Sequence, residues 1–153
     1  MKTLFFKSLL VFVLIFTVSS CSNDDDDNSN SDTNQTNIEN TLRAGTWRVT
    51  KFIDSGDDET NNFSGYVFIF GSSNSLVAEN GNATHNGFWS ITDSNSNDDS
   101  IDDLDFNISF ASPQDFEELT EDWDIILRTD TKIELIHISG GNGGTDYLTF
   151  EKN

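Results

Sequence analysis

Leu104-Asp105-Phe106-Asn107-Ile108-Ser109-Phe110 is the stretch whose reading decides the fold. Leu104, Phe106, Ile108 and Phe110 alternate with Asp105, Asn107 and Ser109. A period of two puts the apolar set on one face of an extended strand and the polar set on the other. Trp123, Ile125 and Leu127 repeat the pattern, as do Ile133 and Leu135. One wet face and one dry face mark half-buried antiparallel strands. Tyr66, Phe68 and Phe70 alternate instead with Val67 and Ile69, so that strand is expected to be covered on both faces. Turn-forming residues punctuate the runs at Gly71 to Asn74, Glu79 to Asn82, Thr129 to Thr131 and Ser139 to Gly144.

Outward from this stretch, eight strands are predicted, near 45–53, 64–70, 75–79, 84–92, 103–110, 122–128, 131–138 and 145–151. One short helix is predicted at 113–119. Ser112 would cap it, Pro113 suits its first turn, and Asp115 sits where a capping-box acid belongs. Phe116 and Leu119 would press it onto the sheet. The expected class is all-β: an eight-stranded antiparallel up-and-down barrel with one short helix between strands five and six. Closure removes the sheet edges that invite aggregation. A barrel of this size either fills with side chains or holds one small ligand.

The N-terminus carries a different signal. Lys2 and Lys7 precede Leu9 to Phe16, an uncharged run reading LLVFVLIF. That run is too short for a membrane-spanning helix, which needs about 20 apolar residues. It matches the apolar region of an export signal over residues 1–20. Val18-Ser19-Ser20-Cys21 resembles the bacterial lipobox, and Cys21 is the chain's single cysteine. The resemblance implies cleavage before Cys21 and acylation of its thiol. A lone cysteine in an exported chain has no internal disulfide partner, and two or more acyl chains give stable anchoring. Asp24 to Asp27 follow, and an acidic run just behind the cysteine resembles the surface-export signal of Bacteroidetes lipoproteins. The expected location is therefore the outer membrane, lipid-anchored and at the cell surface, with the periplasmic face as the alternative.

Residues 21–41 are the lipidated cysteine and a polar, acidic segment whose one apolar residue is Ile38. Such a composition predicts a disordered tether. Globular patterning begins at Leu42, giving one barrel domain over 42–153.

The whole chain has 8 Lys+Arg and 27 Asp+Glu. Lys2 and Lys7 leave with the signal and no acid does, so the mature chain has 6 basic residues against 27 acidic ones and a charge of −21. That charge repels nucleic acid and anionic head groups. Phosphate-backbone binding also needs clustered cations, and Arg43, Arg48, Lys51, Arg128, Lys132 and Lys152 are scattered. No nucleic-acid partner is expected. The membrane, reached through the lipid, and a small hydrophobic ligand are the partners expected, and a monomer is the favoured state.

Gly45-Thr46-Trp47 opens the first strand and Gly87-Phe88-Trp89 lies in the fourth. With these motifs and its strand order, residues 42–153 resemble the lipocalin-like lipoproteins of Bacteroidetes. The resemblance implies a tight turn at the first Gly-x-Trp, with the indole plugging the barrel base. The chain departs from true lipocalins in being shorter, in lacking their C-terminal helix, and in placing its small helix between strands five and six.

Catalytic constellations are missing. No serine sits in a Gly-x-Ser-x-Gly elbow, and Cys21 is consumed by lipid. His85, beside a turn, is expected to be exposed, and His137 to be a rim or core residue. No His/Cys cluster suggests zinc, so no catalytic residue, metal ligand or cofactor is expected. Oxygen-rich loops can hold calcium, and two are acidic: Asp54, Asp57, Asp58, Glu59, and Asp93, Asp98, Asp99, Asp102, Asp103. Asp93-x-Asn95-x-Asn97 begins like an EF-hand loop. The match then fails, because Asp98 replaces the turn glycine and Leu104 occupies the glutamate position. Solvated acidic loops are the default.

Tyr66, Phe68, Phe106 and Trp123 are the residues expected to contact a ligand if the barrel is hollow, although such aromatics also fill small barrels. The leading expectation is a non-enzymatic module holding a small apolar ligand in the barrel or at its mouth. The competing one is a filled-barrel interaction protein whose acidic loops meet a partner protein or divalent cations. A weaker third is an enzyme with a glycosidase-like carboxylate pair.

Overall fold

The computed structural model describes residues 29–93, 104–140 and 144–153. The signal segment, Cys21, Asp24 to Asp27, and Asp98, Asp99, Asp102 and Asp103 lie outside the described residues. Among the described residues nine strands occur in chain order: β1 Trp47–Asp54, β2 Asp57–Asp58, β3 Val67–Phe70, β4 Ser75–Glu79, β5 Thr84–Asp93, β6 Leu104–Phe110, β7 Glu121–Arg128, β8 Lys132–Ile138 and β9 Thr145–Lys152. Helix α1 spans Ser29–Arg43, a 3-10 turn spans Thr60–Phe63, and helix α2 spans Gln114–Glu117.

All pairings are antiparallel, and β9 returns to pair with β1. Eight strands, β1 and β3 to β9, thus form a closed up-and-down barrel, with β2 as an extra two-residue ladder on β1. The deciding stretch is β6, where Leu104, Phe106, Ile108 and Phe110 are at most 3% exposed. Its partner β5 sets Trp89 opposite Ile108 and Ile91 opposite Phe106, so apolar side chains meet on one face.

The β1–β3 seam is thin, because Trp47 and Phe68 are its single register pair. The 3-10 turn completes it. The Thr60 hydroxyl accepts from the Phe52 N–H at 2.8 Å and donates to the Phe52 carbonyl at 3.3 Å, and the Glu59 N–H reaches the same carbonyl at 3.0 Å. Backbone groups that no neighbouring strand serves are satisfied by a side chain instead.

Helix α1 corrects the expectation of a disordered tether to residue 41. Ile38 and Leu42, one turn apart on its face, are both 0% exposed within the core. Helix-poor Asn, Ser and Thr dominate α1, so burial rather than propensity holds it. Gln35 bonds Glu39 and the Ile91 carbonyl, and Arg43 pairs with Glu39 at 2.9 Å.

Strand three begins at Val67 rather than 64, because the 3-10 turn and Gly65 (φ +81°) occupy the positions before it. Helix α2 buries Phe116, and Leu119 just beyond it is also buried, as expected. The expected cap is absent: Pro113 holds the cap position, and no side-chain hydrogen bond closes that end.

Gly87 has a packing reason. A β-carbon there would lie 2.5 Å from the Ser109 carbonyl oxygen and 2.8 Å from the Phe110 ring. The missing side chain lets β6 lay Phe110 against β5. Each tryptophan satisfies its indole N–H on a backbone carbonyl: Trp47 on Leu42 at 2.9 Å, Trp89 on Gly71 at 3.2 Å and Trp123 on Leu119 at 3.1 Å. Such donors are seldom buried unpaired.

Candidate functional site at the acidic rim of the barrel

Antiparallel strands bring alternate links to opposite ends of the barrel. Helix α1 leads directly into β1, which runs from Trp47 to Asp54. One end therefore carries α1, and the other carries Asp54, the 3-10 turn, α2 and the β8–β9 link.

Between the ends the interior is filled by rings. Phe70 lies 5.6 Å from Phe106 and 5.5 Å from Phe150, and Phe68 lies 5.3 Å from Phe150. Phe116 meets Phe63, Phe68 and Phe110 at 5.3, 6.1 and 5.1 Å. Centroids this close are in direct contact. Three of the expected ligand contacts, Phe68, Phe106 and Trp123, are 0% exposed members of this packing. The fourth, Tyr66, is half-buried near α2, 5.0 Å from Phe116. Two described depressions, about 490 Å³ beside Asn40, Arg128 and Lys152 and about 300 Å³ beside Phe88 and Ile108, are lined by none of the four.

The end opposite α1 is ringed by carboxylates. The strand period that points Phe52, Trp123, Leu135 and Leu148 into the core also turns Asp54, Glu121, His137 and Asp146 toward the mouth. Glu59 and Glu118 join from the links that cross this end. Two groups result.

In the first, carboxylate oxygens of Asp54, Glu59 and Glu118 all lie within 4.8 Å of one another. Glu118 Oε2 is buried and, among the described residues, accepts no hydrogen bond. Its carboxyl is pushed up to about 7, first by the hydrogen bond it shares with Glu59 when protonated, then by burial, then by the charges of Glu59, Asp54 and Asp115.

In the second, His137 Nδ1 lies 3.4 Å from Asp146 Oδ2, and its Nε2 faces Glu121 Oε2 at 3.6 Å and Asp122 Oδ1 at 3.9 Å. Asp146 is 7% exposed and accepts the Ser55 N–H at 2.7 Å. Lysine and arginine make ion pairs with Glu39, Glu151 and Glu134, so among the described residues none of those pairs involves a rim carboxylate.

His137 sits at the rim, as expected. His85 does not stand free beside a turn: it lies on β5, its Nε2 3.2 Å from the Tyr66 hydroxyl and its ring 4.5 Å from Phe116. Asp54 and Glu59 stand out in the sequence as part of an acidic loop, whereas Glu118, which joins them, and Glu121, Asp122 and Asp146, which gather around His137, do not. The signal for Asp146 was its place two residues before Leu148 on an inward face.

No family profile and no curated protein matches this chain. Among solved structures, a DUF4847-family protein from Bacteroides vulgatus is similar, with a TM-score of 0.50 and 16% identity over 76% of this chain and 97% of that one. At that identity the likeness is one of fold, and the closed β-barrel is what this chain has in common with it.

Proposed function

We propose that this protein is a lipid-anchored extracytoplasmic barrel that catalyses nothing and binds through its acidic rim. The observation that carries the reading is the contrast between interior and rim. The space where a small apolar ligand would sit holds mutually packed phenylalanines, whereas the rim crowds like charges that need a counter-ion. Three carboxylates within 4.8 Å repel one another strongly in a partly buried setting, and a proton or a cation relieves that. The ligand class is therefore cationic: divalent ions, or a basic group of a partner protein. Oxygen donors from three residues suit a hard ion such as calcium.

The anchor reading rests on the resemblance of Val18 to Cys21 to a lipobox. With α1 starting at Ser29, residues 22–28 are the only span between Cys21 and the domain. At about 3.3–3.6 Å per residue these seven residues span at most roughly 23–25 Å, a short leash. Since α1 and the rim lie at opposite ends of the barrel, the rim would face away from the bilayer.

Native mass spectrometry of the protein, together with calcium titration, tests the binding reading. The expected result is no co-purified acyl or other apolar ligand, and calcium binding weakened by Asp54→Asn or Glu118→Gln. A stoichiometric apolar ligand, released by substitution of Phe68 or Phe106, would overturn it. The anchor is tested by labelled palmitate: Cys21→Ala should abolish incorporation and release the protein from membranes.

A further inference from the structure

We infer that Glu121, Asp122 and His137 form a binding site for a divalent transition-metal ion of the zinc class, with Asp146 as the residue that positions the imidazole. This deepens the rim reading but uses different side chains from the Asp54 group. The three donor atoms come from two adjacent strands. Nε2 of His137 is 3.6 Å from Glu121 Oε2 and 3.9 Å from Asp122 Oδ1, and all three lie within 4.8 Å of one another. Tetrahedral ligands bound at about 2.0–2.2 Å stand roughly 3.3–3.6 Å apart. A shift of a few tenths of an ångström therefore closes the two histidine distances around an ion. Glu121 and Asp122 have side chains 40% and 70% exposed, so they are free to make it.

The outer partner is what separates this group from a chance cluster. A metal-binding imidazole characteristically gives its other nitrogen to a carboxylate, which fixes the tautomer and aims the lone pair. His137 Nδ1 has such a partner in Asp146, which is 7% exposed and is itself held by the Ser55 N–H at 2.7 Å. Held that way, Nε2 presents its lone pair on the side where Glu121 and Asp122 stand. One imidazole with two carboxylates selects for zinc-like ions over calcium and magnesium, which prefer all-oxygen shells. Three protein donors leave a fourth position for water or for a donor from a bound partner.

The test is zinc titration of the full chain, stripped by chelator, at pH 7.5 in millimolar magnesium, which occupies the non-specific acidic sites. Calorimetry and histidine-ring NMR are the readouts. The expected result is one zinc per chain, a shifted His137 Nε2 resonance and an unmoved His85. His137→Gln and Glu121→Gln should each weaken binding at least 10-fold. Asp146→Asn should weaken it by about 10–100-fold and alter the His137 tautomer, a change that a merely structural aspartate would not produce. Glu121 is exposed enough for its variant to keep the fold if His137→Gln does not. Zinc binding that magnesium abolishes, or that survives both His137→Gln and Glu121→Gln unchanged, would overturn the assignment. Calcium binding at Asp54 and Glu118 stands or falls separately, so failure here leaves the rim reading intact.

Discussion

Ile38→Ala is the substitution that most sharply separates a tether from a structural helix. Ile38 is 0% exposed and shares its face of α1 with Leu42, also 0% exposed. Truncating a fully buried isoleucine loses the transfer free energy of its methyl and methylene groups and leaves a cavity, together about 2–5 kcal/mol. A second contribution comes from Trp47, whose buried indole N–H donates to the Leu42 carbonyl at 2.9 Å. If the weakened helix detaches, that donor loses its partner, a loss of about 1–3 kcal/mol. Isolated helices of this length and composition do not persist in water, so α1 should hold or release as a unit. With a urea slope of about 1–3 kcal/mol per molar, a loss of 3 kcal/mol lowers the midpoint by roughly 1–3 M. Circular dichroism and tryptophan fluorescence should report the same shift, and Thr36→Ala on the exposed side of α1 should stay within about 0.5 kcal/mol of the parent. An Ile38→Ala midpoint indistinguishable from that of Thr36→Ala would refute the docking of α1.

Gly87→Ala should destabilise the barrel by about 1–3 kcal/mol through overpacking, since its methyl group meets the Ser109 carbonyl and the Phe110 ring; pairing it with Phe110→Leu should recover part of the loss in the same denaturation assay. Glu118, raised from 4.5 to about 7 in the fold, stabilises most when protonated, so its contribution is present in full below about pH 4.5 and fades as pH rises through 7. Glu118→Gln should flatten that part of the stability-versus-pH curve and leave the variant more stable than the parent at pH 8; an unchanged curve would refute the crowding of the three carboxylates. Replacing Asp24 to Asp27 with alanine should leave lipidation and melting unchanged but protect the protein from protease shaving of intact cells, and equal shaving would reduce the run to a spacer.

Sequence by itself carried the barrel. The two-residue period in β6, in β8 and in β7 as far as Ile125, with turn formers between them, is a local consequence of alternating side-chain direction, and a strand displays it without knowing its neighbours; a bulge after Ile125 breaks it, so that Leu127, expected on the buried face, is 40% exposed. The eight barrel strands, their order and the position of α2 followed from that pattern, because short links force adjacent strands to pair, whereas the two-residue β2 carries no such period and was not legible. Helix α1 was not legible for the converse reason. Its residues prefer turns and caps, and two apolar side chains four apart become a signal only when a barrel end exists to receive them. The same holds for the rim. Glu121 and Asp122 on β7, His137 on β8 and Asp146 on β9 are scattered in sequence among 27 acidic residues, and composition cannot tell a converging carboxylate from a solvated one. Strand register, closure and the crossing of the barrel mouth by α2 and the 3-10 turn decided which of them meet. Those are long-range contacts, fixed by how the core packs rather than by any residue's own preference. The same packing turned the aromatics that would have lined a pocket into the material that fills it.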